Sequence, residues 1–153
     1  MALVDNIILD NLKDFNKSIK DEFSRKGIND TGDASDSLKE LKTGEQTYAS
    51  KGNDYIEVLD RGRGPGRFAP VDNIRDWVRS KLGITEEKEL KQVAFLVNRK
   101  LAREGSGIFK DKKKGLEINE KIVTLRKNLT KDLRVFAIAD VKRQLNKFQS
   151  QTI

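Results

Sequence analysis

The most constraining feature of this sequence is a helical pattern of apolar residues over positions 120–148. Apolar residues recur there at steps of three and four for roughly eight turns, which is typical of an amphipathic α-helix. The members of this stripe are Ile122, Leu125, Leu129, Leu133, Phe136, Ala137, Val141, Leu145 and Phe148. The pattern predicts a long C-terminal helix, with Asn119 as its N-terminal cap.

A second amphipathic helix is predicted at the N-terminus. Its apolar stripe has the same spacing, while acidic and basic residues such as Asp10, Asp14 and Lys17 occupy the opposite side. The stripe comprises Leu3, Val4, Ile7, Ile8, Leu12, Phe15, Ile19 and Phe23. We expect the helix to stop near Gly27, since glycine tolerates the left-handed conformation that commonly closes helices.

Residues 37–59 favour a small antiparallel sheet of about three strands. β-Favouring residues alternate there with turn-formers at "TGE" and "KGND". The clearest strand is "YIEVLD", which begins at Tyr55. A helical turn over residues 39–42 is an alternative at the start of this region, because short apolar runs are ambiguous between the two periods.

The segment "RGRGPGRFAP", residues 61–70, predicts a loop, because glycine and proline at this density suit neither a helix nor a central strand. Pro70 sets the first turn of a short helix that carries Ile74, Trp77, Val78 and Leu82 and ends at Gly83. We expect Trp77 to be a core anchor. Thr85 begins a second helix, which ends at Gly105.

Residues 105–115, "GSGIFKDKKKG", combine glycines with a lysine cluster. This composition predicts a flexible, solvent-facing arm at about positions 105–118. The expected fold is therefore a single α+β domain over residues 1–153. It consists of an N-terminal helix, a small curved antiparallel sheet, two short helices, a flexible loop and a long C-terminal helix.

Several classes of enzyme are excluded by composition. The 153 residues include no cysteine and no histidine, which removes thiol nucleophiles, Cys/His zinc sites, disulfides and imidazole chemistry. The carboxylate pairs Asp33 with Asp36 and Glu86 with Glu87 fall in loops or helix starts, where capping and solvation explain them. We therefore expect no enzyme activity, no metal and no catalytic residue.

Nucleotide and membrane binding are not indicated either. The glycines at 62, 64 and 66 match neither the dinucleotide fingerprint nor a P-loop, so no cofactor is expected. No apolar run approaches the length needed to cross a bilayer, and the N-terminus lacks a signal-peptide pattern. We expect a soluble protein that is made in a cytoplasm and has no membrane partner.

The net charge of +7 favours attraction to phosphate or to acidic protein surfaces. Four lysines follow one another at positions 110 and 112–114, with one acidic interruption. A nucleic-acid-binding module that uses this basic surface is therefore the main alternative function. A small cytoplasmic regulator is a second alternative, for which nothing beyond chain size argues.

Residues 55–109 resemble the tail-completion, or head–tail joining, family of tailed bacteriophages. Members typically have a strand that ends in a glycine-rich turn, then a proline, a short helix with isoleucine and tryptophan, and a helix that ends in an Arg-Lys pattern before a glycine. The matching positions are Gly62, Gly64, Pro65, Pro70, Ile74, Trp77, Arg99, Lys100, Leu101, Gly105 and Phe109. The family's usual proline near Phe109 is missing, and the lysine cluster and long final helix are particular to this sequence.

The resemblance implies a structural role in the neck of a virion. Such proteins form a ring between the portal vertex and the tail and help to seal the DNA channel. The implied partners are copies of the chain itself, the portal, connector or tail proteins of the phage, and channel DNA through nonspecific contact. The implied location is the virion, with assembly in the host cytoplasm.

In a ring, one surface patch of each copy must fit a different patch of the next copy. We expect two segments to reach across that interface, the glycine-rich loop and the lysine-rich arm. The expected interface residues are Arg61, Arg63, Arg67, Phe68, Phe109, Lys110, Lys112 and Lys113. Gly62, Gly64, Pro65, Pro70, Ile74 and Trp77 are expected to form the structural turn and core beneath them.

Overall fold

The computed structural model describes residues 2–28 and 32–151, and it confirms an α+β fold with a long C-terminal helix. The helices are α1 (Ala2–Arg25), α2 (Asp33–Asp36), α3 (Tyr55–Arg61), α4 (Val71–Leu82), α5 (Glu87–Glu104), α6 (Gly107–Lys110) and α7 (Ile118–Gln151), with a 3₁₀ turn at Lys112–Lys114. Within the described residues, the strands are β1 (Lys39–Gly44) and β2 (Thr47–Lys51). No helix in this part of the chain is both long and apolar enough to cross a membrane.

The chain divides into two compact units. The hairpin unit comprises Met1–Glu22, Ser35–Asn53 and Ile118–Ile153. The loop unit comprises Phe23–Ala34 and Asp54–Glu117. The expectation of a single domain stays a prediction.

Helix α1 ends where the sequence predicts. The N–H of Gly27 donates to the carbonyl of Ser24 at 3.3 Å, and the N–H of Ile28 donates to the carbonyl of Phe23 at 3.2 Å. Gly27 has a φ of +61°. These two bonds and the left-handed glycine form a Schellman cap, which satisfies carbonyls that the helix itself leaves unpaired.

In the hairpin unit, β1 and β2 pair antiparallel, with Leu41 opposite Ala49 and an irregularity between Lys42 and Gly44. Asp5 of α1 accepts hydrogen bonds from the Tyr48 hydroxyl and from the Lys42 ammonium group. The Lys42 bond and, secondly, the Tyr48 bond lower the pKa of Asp5. The hairpin is therefore held on α1 by charged hydrogen bonds.

Helix α7 is also tied to α1 within the hairpin unit. The Asn11 amide donates to the Asp132 carboxylate at 2.9 Å, and Lys121 lies 3.3 Å from Glu22. The helix begins at Ile118, so the prediction that Asn119 caps it is wrong: Asn119 is the second residue of the helix. Glu117, the residue directly before α7, has a positive φ of +54°.

The segment "YIEVLD" was predicted to be a third strand, and this prediction is wrong: it forms α3. Ile56 and Leu59 are buried while Tyr55 and Val58 are exposed. The buried residues are thus three apart, as on a helix, although the same letters also alternate in a strand-like way. An ion pair between Glu57 and Arg61 at 3.1 Å supports the helical spacing.

The core of the loop unit lies between α4 and α5. Its buried residues are Ala69, Ile74, Val78, Leu90 and Ala94. The prediction that Trp77 is a core anchor is wrong, because its side chain is 41% exposed and the neighbouring Val78 is fully buried instead. The expected helix end at Gly83 is confirmed, with a left-handed φ of +67°.

Helix α5 starts later than the sequence suggested. The prediction that it begins at Thr85 is wrong by two residues. The cap of α5 is the Glu86 carboxylate, which accepts hydrogen bonds from the N–H groups of Lys88 and Glu89 at 3.0 and 2.6 Å. These two backbone donors lower the pKa of Glu86. A carboxylate at this position also interacts favourably with the positive end of the helix dipole.

The segment predicted to be a flexible arm contains regular structure. Residues 107–110 form α6 and residues 112–114 form the 3₁₀ turn, and Leu116 is completely buried. Ser106 caps α6, since its hydroxyl accepts from the Phe109 N–H at 3.2 Å. The expectation of a segment without packed structure is therefore wrong at its two ends, where Gly105, Gly115 and Leu116 are buried. Residues 110–114 between them are exposed, as predicted, and the flexibility of the segment stays a prediction.

Candidate protein-interaction surface on the glycine-rich loop

The glycine-rich loop, residues 62–70, lies against residues 105–109 of the same unit. The Arg63 N–H donates to the Ser106 hydroxyl at 2.9 Å, and the Ser106 N–H donates to the Arg63 carbonyl at 2.8 Å. The Gly66 N–H donates to the carbonyl of Ala102 at 2.8 Å. The two segments that the sequence presented as separate flexible elements therefore brace each other.

Two glycines permit this close approach. A Cβ atom on Gly62 would lie 2.2 Å from the backbone nitrogen of Phe109, and one on Gly105 would lie 2.9 Å from the carbonyl oxygen of Arg63. Both residues also have positive φ, +74° and +78°. A side chain at either position would have to displace backbone, so glycine is required there for space as well as for conformation.

Phe109 covers the junction of the two segments. Its ring atoms would lie 3.3 Å from a Cβ on Gly64 and 2.9 Å from one on Gly105, and the Lys112 ammonium is 4.6 Å from the ring centroid. The side chain remains 42% exposed. Phe109 is thus partly a packing residue of its own unit and partly exposed.

The far end of the loop is fixed by a buried asparagine. Asn98 of α5 is 2% exposed, its amide donates to the Ala69 carbonyl at 2.8 Å, and its oxygen accepts from the Ala69 N–H at 2.7 Å. The Asn98 side chain thus satisfies both the N–H and the carbonyl of Ala69, as the backbone of a neighbouring strand would. Pro70 follows directly as the residue before α4.

Beside this anchor, the loop presents an exposed aromatic pair. The rings of Phe68 and Phe95 stack with their centroids 6.3 Å apart and an interplanar angle of 20°. Phe68 is 54% exposed and Phe95 is 58% exposed. Leu96, the next residue of α5, is also exposed. We call the stacked pair Phe68 and Phe95 the aromatic patch.

Most of the predicted interface cations make bonds within the chain. Arg63 donates to the carbonyls of Arg67 and Phe68 at 2.8 and 3.0 Å, and Lys112 donates to the carbonyl of Arg61. Lys110 pairs with Glu104 at 2.8 Å. These residues brace the loop surface, and they extend into solvent less freely than the sequence suggested.

Glu104, at the end of α5, receives two of these bonds. The Arg103 guanidinium lies 2.7 Å from one carboxylate oxygen and the Lys110 ammonium lies 2.8 Å from the other. The Arg103 bond first, and then the Lys110 bond, lower the pKa of Glu104 to about 2. The carboxylate is therefore ionised at any ordinary pH and neutralises two cations at the base of the 105–115 segment.

The remaining predicted residues are placed as follows. Arg67 and Pro65 are exposed on the loop, and the Lys113 side chain is exposed on the 3₁₀ turn. The Lys113 carbonyl is held from beneath by Lys26, whose ammonium also donates to the Gly115 carbonyl at 2.6 Å and to the Glu117 carboxylate at 2.7 Å. Lys26 thus fixes the far end of the segment.

Sequence reasoning missed three residues on which this surface depends: Ser106, Asn98 and Phe95. One signal was available for Asn98, because it falls four residues after Ala94 on the apolar stripe of α5, where an amide is out of place unless it is paired. Phe95 lies on the polar side of the same helix and carried no such signal. Phe95 contributes to the surface only because its ring stacks on that of Phe68.

The described residues include no group of three or more acidic side chains that could hold a metal ion. In the part of the chain that the structure describes, the hairpin unit has two surface depressions that are open to solvent. One is lined by residues such as Asp36, Leu41 and Asn53, the other by Ala139, Arg143 and Asn146 of α7. Neither belongs to the surface described above.

Comparison with known proteins found no matching family model, no matching curated protein and no matching solved structure.

Proposed function

We propose that this chain is a structural protein of a tailed-bacteriophage neck, which assembles with copies of itself into a ring between head and tail and contributes to sealing the DNA channel. The observation that carries the proposal is the aromatic patch on a braced loop. The resemblance of residues 55–109 to the head–tail joining family names the assembly. One implied element is different, because α3 stands where that family has a strand.

The aromatic patch has the properties of an interface anchor. Exposed aromatic side chains held at a fixed position dominate many protein interfaces, because they bury a large apolar area and lose little conformational freedom on binding. The backbone of Phe68 is held in place, since Arg63 donates to its carbonyl and Asn98 accepts from the N–H of the next residue. Such a surface is organised before a partner arrives, which lowers the cost of association.

A ring also requires a second, different surface on each copy. In the loop unit, the exposed side chains of Trp77 and Leu82 on α4 provide apolar area outside the aromatic patch. We propose that the aromatic patch of one copy contacts a surface on the next copy, with Arg67, the neighbour of Phe68, at its polar rim. No catalytic group takes part.

A nucleic-acid-binding module is the second candidate, and one observation favours it. The glycine-rich loop has no aromatic residue among its arginines until Phe68, but Phe95 adds a second ring, and Arg99 lies one helical turn beyond it. Aromatic rings beside arginine form stacking platforms for single-stranded bases. Fluorescence anisotropy with labelled single-stranded and duplex DNA tests this alternative, which requires micromolar or tighter binding that weakens steeply with salt.

The neck proposal is tested by mass spectrometry of virus particles. The particles are purified on a density gradient from a lysate of host cells infected with the virus that encodes this chain. We expect the chain to migrate with the capsid and portal proteins at a few copies per particle. A chain that stays at the top of the gradient, or that is recovered with nucleic acid, contradicts the proposal.

Two matched variants connect the particle experiment with the aromatic patch. Phe95→Ser should remove the chain from particles, whereas Val123→Ser, which replaces an exposed apolar residue of α7, should leave incorporation unchanged. Circular dichroism of both purified variants shows whether each is folded. Normal incorporation of folded Phe95→Ser would exclude the aromatic patch as the ring contact.

A further inference from the structure

The outward side of the first turns of α7 carries three cations in one row. Lys127 and Lys131 each lie two residues from Leu129, and a two-residue step turns an α-helix by about 200°. Leu129 belongs to the partly buried stripe, whereas Lys127, Lys131 and Arg134 are exposed on the opposite side. These three residues, which we call the cation row, extend over about 10.5 Å, since each residue adds about 1.5 Å along the axis.

The cation row has no acidic partners on its own helix. No aspartate or glutamate stands three or four positions from any of its members, which is the spacing of a helical ion pair. In α4, by contrast, Arg75 pairs with Asp72 and Arg79 pairs with Asp76. Among the residues that the structure describes, the three cations of the row form no ion pair. Their positive charge is therefore uncompensated.

The members of the cation row also repel one another in the free chain. Lys127 and Lys131 are four residues apart, and Lys131 and Arg134 are three apart, spacings at which like charges destabilise a helix. Asp132 lies next to Lys131 in the sequence, but its carboxylate accepts a hydrogen bond from the Asn11 amide of α1 at 2.9 Å. A line of negative charges along the row would remove this repulsion, which a single small anion could do only in part.

The other exposed side chains of this stretch indicate which polyanion fits. From position 124 to position 134, every exposed residue is polar or charged. The core of a protein interface is apolar and depleted in lysine, and a helix that binds a membrane inserts an apolar face, so neither partner suits this surface. The stretch contains no aromatic ring that could stack an unpaired base. The phosphates of a nucleic-acid duplex require only positive charge and hydrogen-bond donors.

We propose that the cation row binds the phosphate backbone of duplex nucleic acid without reading its sequence. The contact belongs to the hairpin unit. It does not depend on the proposed neck function, and it is separate from the stacking platform considered for Phe68 and Phe95. Three phosphate contacts correspond to the weak end of nonspecific binding, about 10⁻⁴ M at physiological salt. A contact of this strength does not hold the free chain on nucleic acid through a density gradient.

Fluorescence anisotropy of the full chain with a short labelled duplex, repeated at several salt concentrations, tests the proposal. We expect the logarithm of the association constant to fall linearly with the logarithm of the salt concentration. Three neutralised phosphates correspond to a slope of about −2.7, so a fourfold rise in salt should weaken binding by about fortyfold. Duplexes of different sequence should bind equally, because phosphate contacts carry no sequence information.

Two double variants with the same loss of charge locate the contact. Lys127→Gln combined with Lys131→Gln should reduce the steepness of the salt dependence by about 1.8 and weaken binding at low salt by at least about tenfold. Lys13→Gln combined with Lys17→Gln is the control. It also removes two exposed lysines that are four residues apart on a helix of the hairpin unit, but each of these has an aspartate three residues before it. The control should change binding by less than about twofold, the effect of net charge alone.

A conservative variant separates charge from structure. Lys127→Arg combined with Lys131→Arg keeps both cations and should retain duplex binding, since arginine also donates to phosphate. Circular dichroism of each variant shows whether its helices are intact.

Each of the following results would overturn the proposal. The folded chain does not bind duplex at low salt, or the two glutamine variants weaken binding equally, which would indicate general charge. Phe95→Ser abolishes binding while the α7 variants do not, which would locate the contact on the loop unit. Polyglutamate displaces the duplex at an equal concentration of charge, which would assign the cation row to an acidic protein segment.

Discussion

Arg63 and Ser106 exchange two hydrogen bonds although they are 43 residues apart in the sequence. The Arg63 N–H donates to the serine hydroxyl, and the Ser106 N–H donates to the arginine carbonyl. The same hydroxyl also accepts from the Phe109 N–H at the start of α6. One small side chain thus connects the glycine-rich loop with the cap of a neighbouring helix.

Ser106→Ala should lower the free energy of unfolding by about 1–2 kcal/mol, because it removes a helix cap and leaves the Arg63 N–H unpaired. Urea unfolding followed by circular dichroism measures the change. Ser150→Ala is the control, since the Ser150 hydroxyl donates only to a carbonyl on the exposed end of α7. Equal effects of the two substitutions would show that Ser106 does not brace the loop.

Gly62→Ala should destabilise the chain by about 3 kcal/mol or more, because the new Cβ would lie 2.2 Å from the Phe109 backbone nitrogen and the residue has positive φ. Gly83→Ala has a comparable φ of +67° but meets nothing within 4 Å. It should cost only about 1–2 kcal/mol, the conformational part alone. Thermal unfolding of the two variants separates the two contributions, and similar losses would argue against the close packing of the two segments.

Asn98→Leu should lower the free energy of unfolding by about 2–4 kcal/mol, because it leaves the buried N–H and carbonyl of Ala69 without partners. The same substitution at Asn73, an exposed residue of α4, should change stability by less than about 0.5 kcal/mol. Chemical unfolding of both variants checks the difference. A neutral Asn98→Leu would mean that the loop end is held by other contacts.

Glu104 should titrate with a pKa of about 2, below its ordinary value of 4.5, because the Arg103 and Lys110 cations stabilise its ionised form. A carboxyl whose pKa is lowered by folding contributes stability above the pKa of the unfolded chain. That contribution is therefore present at neutral pH and disappears as the pH falls from about 4.5 towards 2. Carboxyl chemical shifts of labelled Glu104, followed by NMR across this range, measure the titration.

Two substitutions test the cause of that titration. Arg103→Gln and Lys110→Gln should each raise the pKa of Glu104, since each cation donates a hydrogen bond to its carboxylate. Lys114→Gln removes a cation from the same segment and should leave the Glu104 titration where it is. An equal response to all three would indicate general charge and contradict specific bonds.

The sequence predicted the long helices correctly where their period is unambiguous. Helices α1 and α7 each repeat apolar residues over many turns, and the end of α1 at Gly27 is a local property of a glycine that adopts positive φ. The segment "YIEVLD" was mistaken for a strand because its apolar residues satisfy both periods. Only packing, which buries Ile56 and Leu59 and exposes Val58, decided for a helix.

The sequence identified the two segments of the candidate surface, but it did not show that they contact each other. The loop residues and the lysine-rich segment were identified from glycine, proline and charge, which are properties of single positions. Trp77 was assigned to the core because a helical wheel cannot distinguish two neighbours at the edge of an apolar face, and the structure buries Val78 instead. Phe95 gained its significance only from stacking on Phe68.

By itself, the sequence determined the local features of this protein: the helical periods, the breaks at glycine and proline, and the absence of cysteine and histidine chemistry. These depend on interactions within a few residues of the chain, so a local pattern encodes them. The tertiary structure alone decided which loops meet, that Asn98 and Ser106 fix them, and that half of the stripe on α7 remains exposed. Those outcomes depend on contacts between residues that are distant in the sequence, whose geometry no local pattern contains.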